Sequence, residues 1–261
     1  MVIGLSLLLY PSISDWWNTK VSSYAVEDYI QQIAEIDNDK YAEIWKAAKD
    51  YNKKVAERTN QYFLSDSEKA EYNKNLNIGE DGIMGYISIP CIDVVLPFYH
   101  GTEEPVLQVA VGHLDWTSLP TGGEGTHCVL SGHRGLPSAK LFSDLDKVKT
   151  GDYFVLNVLD ETLTYEVDQI RIVYPEETSD LLIEEGKDYC TLVTCTPYGV
   201  NSHRLLVRGH RVDNIEAAQE VRVTADAMII EKLIVIPFVL VPVLAVTLCL
   251  LFVFDGEKRR R

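Results

Sequence analysis

Eight short apolar runs, rich in β-branched and aromatic residues, occupy residues 86–90, 94–98, 106–111, 128–130, 153–159, 163–174, 191–195 and 205–212. Segments rich in Gly, Pro, Asp and Asn separate them. A strand this short cannot bury its apolar face alone, and an unpaired edge is a liability. Eight of them in succession therefore predict a mainly β fold, a closed or nearly closed eight-stranded barrel. A different period precedes them. Over residues 22–60, Tyr24, Tyr29, Ile30, Ile33, Ile36, Tyr41, Ile44, Trp45 and Ala48 recur at mostly three- and four-residue spacings, the mark of amphipathic helix. Asp37-Asn38-Asp39 predicts an interruption, and the lack of Pro or Gly from 21 to 78 fits two helices and a connector. A self-associating coiled coil would need unbroken heptads, which this spacing lacks.

The ends of the chain point to a membrane. Residues 233–254 hold no charged side chain, and as helix they would span roughly 33 Å, enough for a hydrocarbon core of about 30 Å. Pro237 and Pro242 disfavour the rival, a buried soluble helix, but are tolerated in membrane spans. Lys258, Arg259, Arg260 and Arg261 follow, so the positive-inside bias puts the C-terminus in the cytoplasm and the acidic remainder outside. Residues 1–20 begin with an apolar segment too short to span and with no basic start; this suggests that Met1 falls within a longer signal or membrane helix. The expected organisation is then an apolar N-terminal segment (1–20), a helical extension and candidate lid (21–79), a catalytic barrel (80–215), a stalk (216–232), a transmembrane helix (233–254) and a basic tail (255–261). The net charge of −15 excludes the clustered Lys and Arg that nucleic-acid binding requires.

The chemistry concentrates where runs end. In Thr194-Cys195-Thr196-Pro197-Tyr198-Gly199 a thiol stands at a strand terminus, and Arg204 opens the next run, where a guanidinium can stabilise negative charge. His133, in Ser131-Gly132-His133-Arg134-Gly135, stands at the end of another run and supplies an acid–base group. His113 is its main rival; His127, six residues before His133, can share its strand face. Thr194 is a candidate helper of the thiol, and His203 of the loop or substrate wall. Five cysteines cannot all pair within one chain. Cys91 and Cys128 read as core thiols, Cys249 as an apolar residue of the span, and Cys190 and Cys195, an odd step apart, face opposite sides of a strand. Cys190/Cys195 and His127/His133 match zinc-ligand spacings on paper, but the first pair faces apart and neither lies in a tight turn. The expected metal set is none, and no cofactor is implied; the acidic loops lack an EF-type calcium pattern.

These residues resemble a known family. Thr191-Leu192-Val193-Thr194-Cys195, with Gly-His-Arg-Gly at 132–135 and Arg204, is similar to the motifs of sortases, the cysteine transpeptidases of Gram-positive bacteria. Gly-His-Leu at 112–114, Gly-Leu-Pro at 135–137, Lys140-Leu141-Phe142 and Thr-Pro-Tyr after Cys195 look most like the pilin-polymerising class C. The resemblance implies a sortase-type barrel with Cys195 as nucleophile, His133 as general acid and base, and Arg204 as oxyanion stabiliser. It implies cleavage of a Leu-Pro-x-Thr-Gly-like sorting signal between Thr and Gly, and transfer to a pilin lysine. Transfer to a cell-wall precursor amine and a non-catalytic, membrane-tethered binding module are the alternatives. Many class C members carry a lid with an Asp-Pro-aromatic motif. Here Tyr62-Phe63-Leu64-Ser65-Asp66 has no Asp-Pro, leaving Tyr62, Phe63 and Asp66 as the candidate lid residues.

Overall fold

The computed structural model describes residues 2–136 and 139–214. The expected stalk, transmembrane helix and basic tail lie outside the described residues. Among the described residues no helix is long and apolar enough to cross a membrane.

Three helices lead the chain: α1 (Val2–Ala34), α2 (Asn38–Ala56) and α3 (Asp66–Lys74). The predicted break is real, because the Asp37 side chain accepts the Lys40 N–H at 2.7 Å and starts a new helix there. The helix α3 was not anticipated. Its signal is a capping box, in which Ser65 accepts from the Glu68 N–H and Glu68 accepts from the Ser65 N–H.

Eight strands follow: β1 (Ile83–Ile89), β2 (Val94–His100), β3 (Val111–His113), β4 (Thr126–Ser131), β5 (Tyr153–Val158), β6 (Glu161–Val173), β7 (Asp188–Thr196) and β8 (His203–Val212). They close into a barrel in the order β1-β2-β3-β4-β7-β8-β6-β5, with β5 returning to β1. The run 106–111 corrects the expectation of a strand along its whole length. Pro105 begins a helical turn, α4 (Glu104–Leu107), where its fixed φ and missing N–H suit the first helical position. Only Val111–His113 pairs. Cys91 is also corrected: it sits exposed in a 3-10 turn (Pro90–Ile92), not in the core.

Leu130, Cys190, Leu192, Leu205 and Val207 face the barrel interior with Phe98, Phe154 and Tyr165. The helices share this core through Trp45, Ala48, Tyr51, Val55, Tyr72 and Leu76. The opposite faces of β4, β7, β8 and β6 hold a second cluster, Val129, Val193, Leu206 and Val173 with Leu181, against which Leu114 and Trp116 pack. This apolar strip lies outside the barrel and runs toward the end of β7.

Candidate active site

Strand alternation separates the residues around Cys195. Thr194 points inward, and its Oγ1 donates to the Gly132 carbonyl at 2.7 Å. Cys195 shares the outer face with Val193 and is half-buried. Across the antiparallel β7–β8 ladder Cys195 pairs directly with Arg204. Opposite residues in such a ladder stand about 4.5–5.5 Å apart. Arg204 Nη1 donates to the carbonyls of Asn201 and His203 at 3.2 and 3.1 Å, and no carboxylate pairs with Arg204 among the described residues.

His133 approaches from the other side. Strand β4 runs parallel to β7 with Ser131 opposite Val193. The pairing ends there, and His133 follows two residues later in the loop that leaves β4. Gly132 N–H donates to the Val193 carbonyl at 3.0 Å and keeps the loop on that track. Gly132 is required there: a Cβ would come within 2.7 Å of the Phe142 ring. His133 Nε2 is buried without a hydrogen-bond partner among the described residues, and Glu104 Oε2 lies 3.9 Å away, close enough for an ion pair once the ring is protonated. Cys195 and Arg204 thus face each other across β7 and β8, and His133 lies in the loop that follows β4, the other neighbour of β7.

The rival histidines are otherwise engaged. His113 is fully buried inside the barrel, with Nδ1 3.0 Å from the Tyr72 hydroxyl and Nε2 2.8 Å from the Ser118 carbonyl. His127 lies on the outer face, but its nitrogens meet the Leu182 carbonyl at 2.9 Å and Thr191 Oγ1 at 2.7 Å. Burial pulls its pKa down to about 4. His203 packs its ring on Tyr174 (centroids 4.6 Å) and forms a wall beside Arg204. Cys190 is buried opposite Cys128, and burial pushes its thiol pKa up. Among the described residues no three His, Cys, Asp or Glu side chains converge as metal ligands.

The candidate lid residues separate from one another. Gln61 Oε1 accepts from the Ile183 N–H at 3.2 Å, and the Tyr62 ring meets Trp116 edge-on at 4.9 Å. Tyr62 therefore touches the aromatic that packs on the apolar strip. It lines a cleft of about 810 Å³ with Arg58, Leu182 and Ile183, and a smaller one of about 290 Å³ with Arg171, Val173 and Glu177. Phe63 is 67% exposed. Asp66 opens α3, whose capping is done by Ser65 and Glu68. Sequence reasoning passed over Trp116 and the floor beneath it; its one local signal was a large aromatic in a loop between strands.

A family model for the sortase domain matches residues 87–212. Sortase C1 from Streptococcus agalactiae is 55% identical, its whole chain aligning with 74% of this one at a TM-score of 0.72. The chain belongs to the sortase family. Sortase C from Streptococcus pneumoniae is 43% identical, with 73% of this chain and 97% of that one aligned at a TM-score of 0.67. Sortase D of Bacillus subtilis is 29% identical over 178 residues, covering 67% of this chain and 86% of that relative. A sortase C structure from Clostridium perfringens with its C-terminal cell wall sorting motif is 44% identical, covers 73% of this chain and 99% of that one, and has a TM-score of 0.65. Sortases are cysteine transpeptidases, so this sortase is an enzyme of acyl transfer acting on substrates that carry a sorting signal.

Proposed function

We propose that this sortase polymerises pilins, with Cys195 as nucleophile, His133 as general acid and base, and Arg204 as oxyanion stabiliser. The direct pairing of Cys195 with Arg204 across β7 and β8, with Gly132 N–H held on the Val193 carbonyl just before His133, supports the reading. The Cys195 thiolate attacks the Thr carbonyl of a Leu-Pro-x-Thr-Gly-like signal, forming a C–S bond. Negative charge on the carbonyl oxygen meets the Arg204 guanidinium through charge-assisted hydrogen bonds. The C–N bond breaks as protonated His133 gives its proton to the departing Gly amine. A pilin lysine amine then attacks the thioacyl carbon and gives up a proton to His133; a new amide forms and Cys195 leaves. The apolar strip Val129, Val193, Leu206 and Val173 is the floor for the Leu-Pro part of the signal, and Tyr62 on Trp116 is its lid.

The pilin class is supported by the identity of 55% to a sortase C1 and by the helical extension packed on the barrel. The protein is held at the cell membrane by residues 233–254, with the barrel on the extracellular face and the C-terminus in the cytoplasm, as the uncharged run and the basic tail support. Incubating the protein with pilin subunits that carry a sorting signal should produce ladders of covalent multimers. Cys195→Ala should produce none. Attachment of single subunits to wall precursor with no ladders would replace this reading by the anchoring one, and equal signal from the Ala variant would remove the catalytic one.

A further inference from the structure

Arg134 follows His133, yet its side chain is only 9% exposed. Its guanidinium spans three segments. Nη2 donates to Asp146 Oδ2 at 2.5 Å, in the 3-10 turn Leu145–Lys147, and Nη1 donates to Thr196 Oγ1 at 3.3 Å. Its plane lies 6.0 Å from the centre of the Tyr198 ring. The same ring covers Gly135, where a Cβ would come within 2.9 Å of it and where φ is +78°. Thr196 and Tyr198 are the first and third residues after Cys195. One buried cation thus ties the loop that carries His133 to the chain that leaves Cys195.

We propose that Arg134 is a positioning residue: it fixes the distance and angle between His133 and Cys195, so that the imidazolium meets the leaving amine as the C–N bond breaks. The inference rests on His133 being that acid. Hydrogen bonds to its own N–H and carbonyl hold Gly132 against Val193 and Thr194. Beyond Gly132 the β4–β7 pairing has ended, and among the described residues Arg134 supplies the polar side-chain tie from this loop to the residues after Cys195. A planar fork with several donors can hold Asp146 and Thr196 together, while also lying on an aromatic face; a lysine ammonium, a single point of charge, cannot.

The test uses the full-length protein, a sorting-signal peptide and its analogue with a thioester at the scissile bond. An amide needs its leaving amine protonated; a thioester releases a stabilised thiolate that does not. Arg134→Lys should lower kcat on the amide by about 10- to 100-fold, the order of cost for a misplaced catalytic group, with KM within about threefold. On the thioester its acylation rate, read as the single-turnover burst of released thiol before the resolving step in which His133 acts as base, should remain within about threefold of wild type. Asp146→Asn, at a partly exposed site, should move the same ratio in the same direction by less, and it keeps the test open if the Lys variant folds poorly. A wild-type kcat in both variants, or equal loss on amide and thioester, overturns the positioning role. His133→Ala separates the two readings. If it loses the amide selectively while Arg134→Lys does not, Arg134 alone is wrong; if it loses neither selectively, the acid role of His133 falls and the inference falls with it.

Discussion

At the scale of single residues, the site depends on which face each side chain occupies. Thr194 and Cys195 are neighbours, yet one ties the barrel interior to the His133 loop and the other stands half-buried on the outer face. Arg204 stands opposite Cys195, and among the described residues no carboxylate pairs with it; in the proposed reaction its charge meets the developing oxyanion. Arg204→Lys should cost about 10²–10³ in kcat, measured on a sorting-signal peptide, because the ammonium offers no planar fork to the oxygen. His127 makes a prediction about stability. Its pKa falls from 6.5 to about 4 in the folded state, chiefly through burial, so between those values the unfolded chain binds more protons. Stability should therefore decline as pH falls from 6.5 towards 4, by about 3 kcal/mol from this group. His127→Gln should lower Tm at pH 7 through lost packing and flatten this part of the Tm profile. An unchanged slope would assign the acid limb to other groups.

Among the elements, α3 and the segment before it have the largest bearing on function. The Ser65 cap and Glu68 hold the start of α3, and Glu68 also accepts from Arg58 Nε at 2.9 Å, which ties the start of α3 to the chain just beyond α2, across the Tyr62 segment. Ser65→Ala should cost about 1 kcal/mol of local stability. If Tyr62 covers the floor, that loss frees it more often, so Ser65→Ala should raise the rate of peptide cleavage or of Cys195 alkylation. An unchanged rate with a lowered Tm would limit the segment to a structural role. The β4–His133 loop is the second sensitive element. Gly132→Ala drives a methyl into the Phe142 ring and should reduce kcat far more than KM, because the displaced backbone carries His133, the proposed acid.

Over the whole molecule, the helices and the barrel share one core. Tyr29 of α1 donates to the Met84 carbonyl at 2.8 Å and accepts from Leu159 N–H at 2.9 Å, bridging β1 to the end of β5. Asn52 of α2 donates to the Leu119 carbonyl and accepts from its N–H, and Tyr72 of α3 meets His113 and Gly101 inside the barrel. Asn52→Ala should cost about 1–3 kcal/mol, since it leaves the buried Leu119 N–H unpaired, while the Leu119 carbonyl keeps the Thr121 N–H. Thermal unfolding should stay a single transition, shifted downward; a separate early transition for the helices would show that they fold apart from the barrel.

Much of this architecture is legible along the chain itself. Alternating apolar runs between Gly- and Pro-rich turns determine strands, because a period of two must place one face in a core. The ends of those runs point to Cys195, Arg204 and His133. A strand of three residues and a helical turn behind Glu104-Pro105 are not legible as such, since the run 106–111 suits either form. Nor does local sequence state which strands are neighbours. Only the closed barrel sets β4 parallel to β7, and so places the loop that carries His133 beyond the strand next to the one that carries Cys195. The same closure decides that Tyr62, not Phe63, reaches Trp116, and that Arg134 joins two loops. Periodicity is a property of the local chain and can be read along it. Register between distant strands comes from which faces can be buried together, a property of the assembled fold alone.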